Sequence, residues 1–220
     1  MLTFAEEILL LALDDQKGAF KPLPPQTLKL ALAGAFLLEL ALSGHIDTDP
    51  ATLRVIHTNP TANPLMDEIL DRLHPSPTLH PTAYWLKEIA WDIPQMEQRV
   101  LETLVEKNIL KVENHKILWV FTIRRYPMMD GREVREVRSR LRDLIESDAI
   151  PDPRDAVLVG LVHACNLFED LFTEEELRRF APRIRDLARL ELIGREVNQA
   201  ITKVSMILTE SMSASISGIV

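Results

Sequence analysis

The sequence predicts an all-α, that is mainly α-helical, single globular domain carrying one protruding β-hairpin, and three observations lead there. Apolar residues recur at helical spacing through most of the chain. Prolines, glycines and N-capping residues punctuate those runs. The segment near Leu110 to Ile123 instead breaks into two short apolar stretches with a polar connection, the signature of a hairpin. With 220 residues, 46 % of them hydrophobic, the chain can bury one sizeable core, which excludes a disordered polymer.

The first helix starts at Thr3, an N-cap with its capping-box partner Glu6 three residues on, and runs to about Asp15, where Lys17-Gly18 breaks it. Pro22, Pro24 and Pro25 form a stiff connector, and Gln26 to Ser43 makes the second helix, stopped by Gly44. Leu28 to Leu42 is the most membrane-like stretch, but Lys29 and Glu39 interrupt it and it falls short of the roughly 20 apolar residues a span needs, so it reads as a core helix. Short strands follow at Ile46 and at Leu53 to His57. Asn59 to Pro81, with five prolines, wraps the surface around a short helix near Leu65 to Leu73. Helices over Thr82 to Ala90 and Gln95 to Lys107 precede strands at Leu110 to Val112 and Ile117 to Ile123, joined by a tight Glu113-Asn114-His115-Lys116 turn. The remaining helices are expected at about Gly131 to Ser147, Asp155 to Phe168, Thr173 to Leu190 and Gly194 to Glu210. The domain thus spans 1–210, and the small residues of 211–220 predict a frayed tail.

A net charge of −8 and a pI near 5.3 make the surface as a whole repel nucleic acid and anionic membranes, so any anion site must be a local basic patch. The single cysteine, Cys165, excludes an intrachain disulfide and a multi-cysteine metal site and fits a reducing compartment. Glu6 and Glu7 stand where a secretory signal needs positive charge. The expected address is the cytoplasm, extending to the periphery of a membrane.

His163 and Cys165 share an apolar helix but, two residues apart, point about 200° away from each other, so both are expected in the core rather than around a metal. No other His pair has ligand spacing, and no Gly-rich phosphate loop, serine elbow or HExxH pattern is present. The expectation is a protein without catalysis, metal or cofactor. The unit from Thr82 to Ile123 resembles a winged helix, whose second helix would enter the DNA major groove. Glu97, Glu102 and Glu106 outnumber Arg99 and Lys107 on that helix, so nucleic acid is not the expected partner; a DNA-binding regulator stands as the alternative.

Arg132, Arg135, Arg138 and Arg142 fall within a sector of about 120° beside the apolar stripe of Val134, Val137, Leu141 and Ile145. Arg124 and Arg125 lie just upstream. Two readings are open: a solvated face paired with Glu133, Glu136, Asp143 and Glu146, or an anion site built of guanidinium forks in an otherwise acidic chain.

The order of elements resembles the Golgi phosphoprotein 3 family over nearly the whole chain. The resemblance rests on the N-terminal leucine-rich helix, Gly34-Ala35-Phe36-Leu37-Leu38-Glu39-Leu40-Ala41-Leu42, Asn63-Pro64-Leu65-Met66-Asp67-Glu68, Leu104-Val105-Glu106-Lys107-Asn108-Ile109-Leu110 and Leu161-Val162-His163-Ala164. It implies a compact helical fold with a protruding hairpin that binds phosphatidylinositol 4-phosphate at membranes. In eukaryotic members the headgroup pocket uses a tryptophan and an arginine around the second helix, which correspond here to Pro24 and Ala33, with Lys29, Phe20 and Lys21 as partial replacements. Basic residues after the hairpin correspond to Arg132, Arg135 and Arg138. The long basic N-terminal arm of eukaryotic members has no counterpart, which implies a prokaryotic relative outside Golgi sorting.

The resemblance thus gives a set of lipid- or anion-binding candidates, Arg132, Arg135, Arg138, Lys29 and Arg125, with an anionic phospholipid or phosphoinositide headgroup as partner. A protein-interaction module without lipid binding is the other reading. Leu118, Trp119, Val120 and Phe121 make both faces of the hairpin apolar, so it is expected to cover one face on the body and the other on a second subunit, giving a homo-oligomer, or on a membrane.

Overall fold

A computed structural model describes residues 1–189 apart from 25, 50, 75–77, 118–120 and 148, together with Arg195, Glu196 and Gln199. The expected helix from Gly194 and the tail 211–220 therefore lie almost wholly outside the described residues. The helices are α1 Phe4–Ala12, α2 Thr27–Leu42, α3 Pro64–Leu73, α4 Thr82–Asp92, α5 Met96–Glu106, α6 Arg132–Glu146, α7 Pro153–Ala164 and α8 Glu174–Ala188, with a 3-10 turn at Leu167–Asp170. Two antiparallel hairpins complete it, β1 Ile46–Thr48 with β2 Leu53–Val55, and β3 Glu113–Ile117 with β4 Phe121–Arg125. This is the expected mainly helical fold.

The core is organised by α1 and α2. Every residue of α1 is buried, because α2, α5, α6 and α7 pack around it. α2 in turn packs against α4, α5 and α7 and buries eleven of its residues, so α1 has no solvated face and α2 is exposed only at Lys29 and Leu42. The acidic side chains they carry are answered one by one from the surrounding helices. Glu6, 3 % exposed, lies 2.6 Å from Lys107 Nζ. Glu7, 2 % exposed, accepts from Arg140 Nη2 at 2.7 Å. Glu39 accepts from Phe4 N and from Arg154 Nη1, both at 3.0 Å. Arg154 also donates to the Leu2 carbonyl at 2.7 Å and stacks 4.1 Å from the Phe4 ring centroid. Buried charge is tolerated only when paired in this way.

Three local expectations are corrected. α1 stops at Ala12 rather than Asp15, because Leu13 turns extended and bridges to Phe20 while Asp14 Oδ1 accepts from the backbone of Gln16 and Lys17, closing a turn of its own. The helix expected to reach Phe168 ends at Ala164, since Asn166 takes a left-handed φ of 58°. In the large hairpin the expected turn, Glu113 to Lys116, is strand. Glu113 pairs with Arg125, Asn114 with Arg124, His115 with Ile123, Lys116 with Thr122 and Ile117 with Phe121. The first strand therefore runs on to Ile117 and the second begins at Phe121, so the expected turn residues lie within the first strand. Asn114 and His115 are exposed, so polar residues there mark a strand wet on its outer side rather than a turn.

Gly18 links the first connector to the far end of this hairpin. Its φ is +57°, and a Cβ there would lie 2.2 Å from Pro127 N. Tyr126 N donates to the Gly18 carbonyl at 2.7 Å. Only glycine allows this approach.

Candidate functional site

The segment leaving β4 turns through Pro127 to Gly131 into α6. Between Thr122 and Arg142 it carries seven arginines against three acidic residues, in a chain whose net charge is −8. Gly131 begins the helix with φ +66°, and Asp130 Oδ1 accepts from Arg132 N at 2.8 Å, so the first turn is set by a short polar loop. Val134, Val137, Leu141, Leu144 and Ile145 bury the inner face, which leaves the arginines on the flank.

These arginines divide along the helix. Arg138 makes a two-pronged fork on Asp15, 2.5 Å and 2.7 Å, across the α1–α2 connector. Arg140 holds Glu7 and lies 2.7 Å from Asp155. Arg142 reaches Glu176 at 2.9 Å and Glu146 at 3.3 Å, and its guanidinium sits 4.6 Å over the Phe172 ring. Toward the N-terminus the pairing thins. Arg135, exposed, donates to the Asp130 carbonyl at 2.8 Å and to no other described residue. Arg132, 75 % exposed, touches its neighbour Glu133 at 3.1 Å. Arg125 faces Glu113 in the hairpin register, but that carboxylate is taken by Lys111 at 2.7 Å and His115 at 3.2 Å, which hold it below the usual range. Among the described residues Arg124, Arg125 and Arg135 have no carboxylate partner.

Lys29 stands elsewhere. It lines a hollow of about 240 Å³ with Phe20, Lys21, Pro24 and Glu97, and none of the α6 arginines borders that hollow. Lys21 is tied to the Leu11 carbonyl and to Asp170, each at 2.8 Å. Glu97 has its carboxyl pushed up by burial, against the pull of Lys29. Ala33 is fully buried, so that position offers nothing to a headgroup in this hollow. Phe20, Lys21, Pro24 and Lys29 are thus brought together, with an acid among them.

Of the hairpin candidates, Leu118, Trp119 and Val120 lie outside the described residues, and Phe121 is placed only as the first residue of β4. On the proposed recognition helix of a winged unit, α5, the two cations are already engaged, Arg99 with Glu68 and Lys107 with Glu6, each at 2.6 Å. Among the described residues no group of three His, Cys, Asp or Glu is placed to hold a metal. Cys165 is wholly buried, its thiol pushed up to about 12 by desolvation, and burial with the nearby Arg185 pushes His163 down. A groove of about 710 Å³ runs past Glu6, Glu39, Arg99 and Lys107, but each of those charges has its partner already. No described helix is long and apolar enough to cross a membrane.

Vacuolar protein sorting-associated protein 74 of Eremothecium gossypii is 25 % identical to the chain over 207 residues, an alignment covering 78 % of this chain and 62 % of that one. The chain therefore spans somewhat less than two thirds of that relative's length. Residues 4–204 match the family described as Golgi phosphoprotein 3 (GPP34), a stretch running from the first residue of α1 to beyond α8, and the chain belongs to that family.

Proposed function

We propose that the protein is a non-catalytic peripheral membrane adaptor, docking on anionic phospholipid, a phosphoinositide headgroup in particular, through the face formed by Arg124, Arg125, Arg132 and Arg135. The observation that carries this reading is the division along α6: Arg138, Arg140 and Arg142 each hold a carboxylate, and at the hairpin end Arg125 and Arg135 have none among the described residues. Guanidinium forks bind phosphate oxygens two at a time, and an unpaired fork enters that contact without first breaking an ion pair. The negative charge of the rest of the molecule turns this face toward an anionic surface. Arg138 joins only by exchanging Asp15 for phosphate, and Lys29 belongs to a separate contact. The hairpin supplies self-association or shallow insertion beside the docking face, in a peripheral, cytoplasm-facing position.

Liposome flotation tests the reading. Arg132→Ala combined with Arg135→Ala should abolish binding to vesicles containing phosphatidylinositol 4-phosphate while leaving the melting temperature within a degree or two. Binding by the parent should also weaken as salt rises, since exposed charges are screened within about 8–10 Å at ordinary ionic strength. Survival of binding in the double variant removes this face as the docking site. A parent that binds no anionic vesicle favours the protein-interaction reading, which the carboxylate of Glu97 beside Lys29 also favours.

A further inference from the structure

α7 and α8 pack against each other, and beside their contact lies a two-part cavity remote in sequence from the arginine face. One part, about 310 Å³, is walled by Phe168, Leu177, Ala181 and Ile184. The other, about 290 Å³, is walled by Arg185, Arg189, Arg195 and Gln199. His163 and Arg185 border both, so an apolar chamber and a cationic one lie side by side across those two side chains. Pro182, inside α8, lacks the N–H that would bond the Arg178 carbonyl, and the chain turns off the end of α7 at the left-handed Asn166.

The cationic part differs from the paired end of α6. Its described lining holds three guanidinium groups, an imidazole and an amide, and no carboxylate. Arg185 commits one donor, Nε, to the Ala181 carbonyl at 3.2 Å; Arg189 and Arg195 have no carboxylate partner among the described residues. The one acid of the apolar part, Glu169, is engaged by Asn166 Nδ2 at 2.5 Å. With no carboxylate in the described lining, these exposed like charges repel, and an anion entering between them removes that repulsion.

We propose that this cavity binds a single-chain amphiphile with a phosphate monoester head, the phosphate among Arg185, Arg189 and Arg195 and the alkyl chain against Phe168, Leu177, Ala181 and Ile184. Three planar forks offer more donors than the two oxygens of a carboxylate accept, which favours the three free oxygens of a phosphate monoester. The apolar neighbour selects against a free inorganic anion, since only a ligand with a chain gains by filling it.

Titration calorimetry on the full chain, below micelle-forming concentrations, tests this with hexyl, octyl and decyl phosphate, decanol and inorganic phosphate. Affinity should rise about fourfold per methylene until the chamber is full, with inorganic phosphate and decanol each far weaker than decyl phosphate. Arg185→Gln with Arg189→Gln should weaken decyl phosphate at least tenfold. Ala181→Phe, filling the chamber, should bring decyl phosphate down to the affinity of inorganic phosphate and leave the latter unchanged; Ala181→Leu repeats the block with a smaller side chain if the larger one disturbs α8. Arg132→Ala with Arg135→Ala should change nothing. An affinity independent of chain length overturns the amphiphile, meaning an inorganic-anion site only; binding unchanged by the Arg185 and Ala181 variants, or lost in the Arg132 and Arg135 variant, overturns the site.

Discussion

From Arg138 to its end, α6 turns its guanidinium groups inward, onto Asp15, Glu7, Asp155 and Glu176, whereas before Arg138 the same residue at the same helical spacing is left to solvent. The contrast lies in what faces each turn of the helix. The later turns meet α1, which has been buried with its carboxylates attached; the first turns bury Val134 and Val137 in the core, but Arg135 there donates to the carbonyl of Asp130 in the short loop leaving the hairpin. A basic stripe on a helical wheel is therefore two objects, and the neighbouring elements decide where one ends and the other begins.

Breaking the inward half should have the largest effect. Arg140→Ala strands the buried Glu7 carboxylate and should lower unfolding free energy by about 3 kcal/mol, the low end for a broken buried pair because Arg140 itself is a third exposed. Denaturant unfolding checks it, and a loss below about 1 kcal/mol would place Arg140 with the outer group. Arg138→Ala, removing a fork that is partly open to solvent, should cost about 1 kcal/mol.

A smaller and pH-dependent effect separates Glu7 from a surface acid. Burial raises its carboxyl above the ordinary range, although Arg140 pulls the other way. Its folded value then exceeds its unfolded one, so its contribution to stability is complete below about pH 4, under the ordinary glutamate value of roughly 4.3, and is lost as pH rises through the folded value. Measured by thermal melts, Glu7→Gln should gain on the parent from about pH 4 upward; a difference that does not change with pH would mean the carboxyl is not desolvated. Smallest of all, Arg132→Ala with Arg135→Ala should alter unfolding free energy by no more than about 0.5 kcal/mol, and a larger loss would show that the outer arginines are also part of the fold.

The sequence signals that depend on near neighbours were legible. The Thr3–Glu6 capping box is formed as spaced, and α2 lies within one residue of each expected limit. The large hairpin was found but misregistered, because alternation reports burial and both of its strands are wet where Asn114, His115, Thr122 and Arg124 project. What could not be read is which arginines are answered. Asp15 stands 123 residues from Arg138, and Glu7 133 residues from Arg140. No periodicity carries such a pairing; it exists only once α1 is laid against α6. The burial of Ala33 is of the same kind, a property of where α2 sits rather than of the residues beside it.

The contact at Gly18 gives these two surfaces a mechanical relation. Its carbonyl takes the Tyr126 amide directly, with no side chain between the backbones, three residues from the Asp15 that clamps Arg138 and two from the Phe20 that walls the Lys29 hollow. The same end of the hairpin is also held by Lys111 N on the Pro127 carbonyl, by Met129 N on the Ile109 carbonyl and by Tyr126 Oη on Gln98, so the hairpin, the connector and α5 meet at one joint between the two basic places of the molecule.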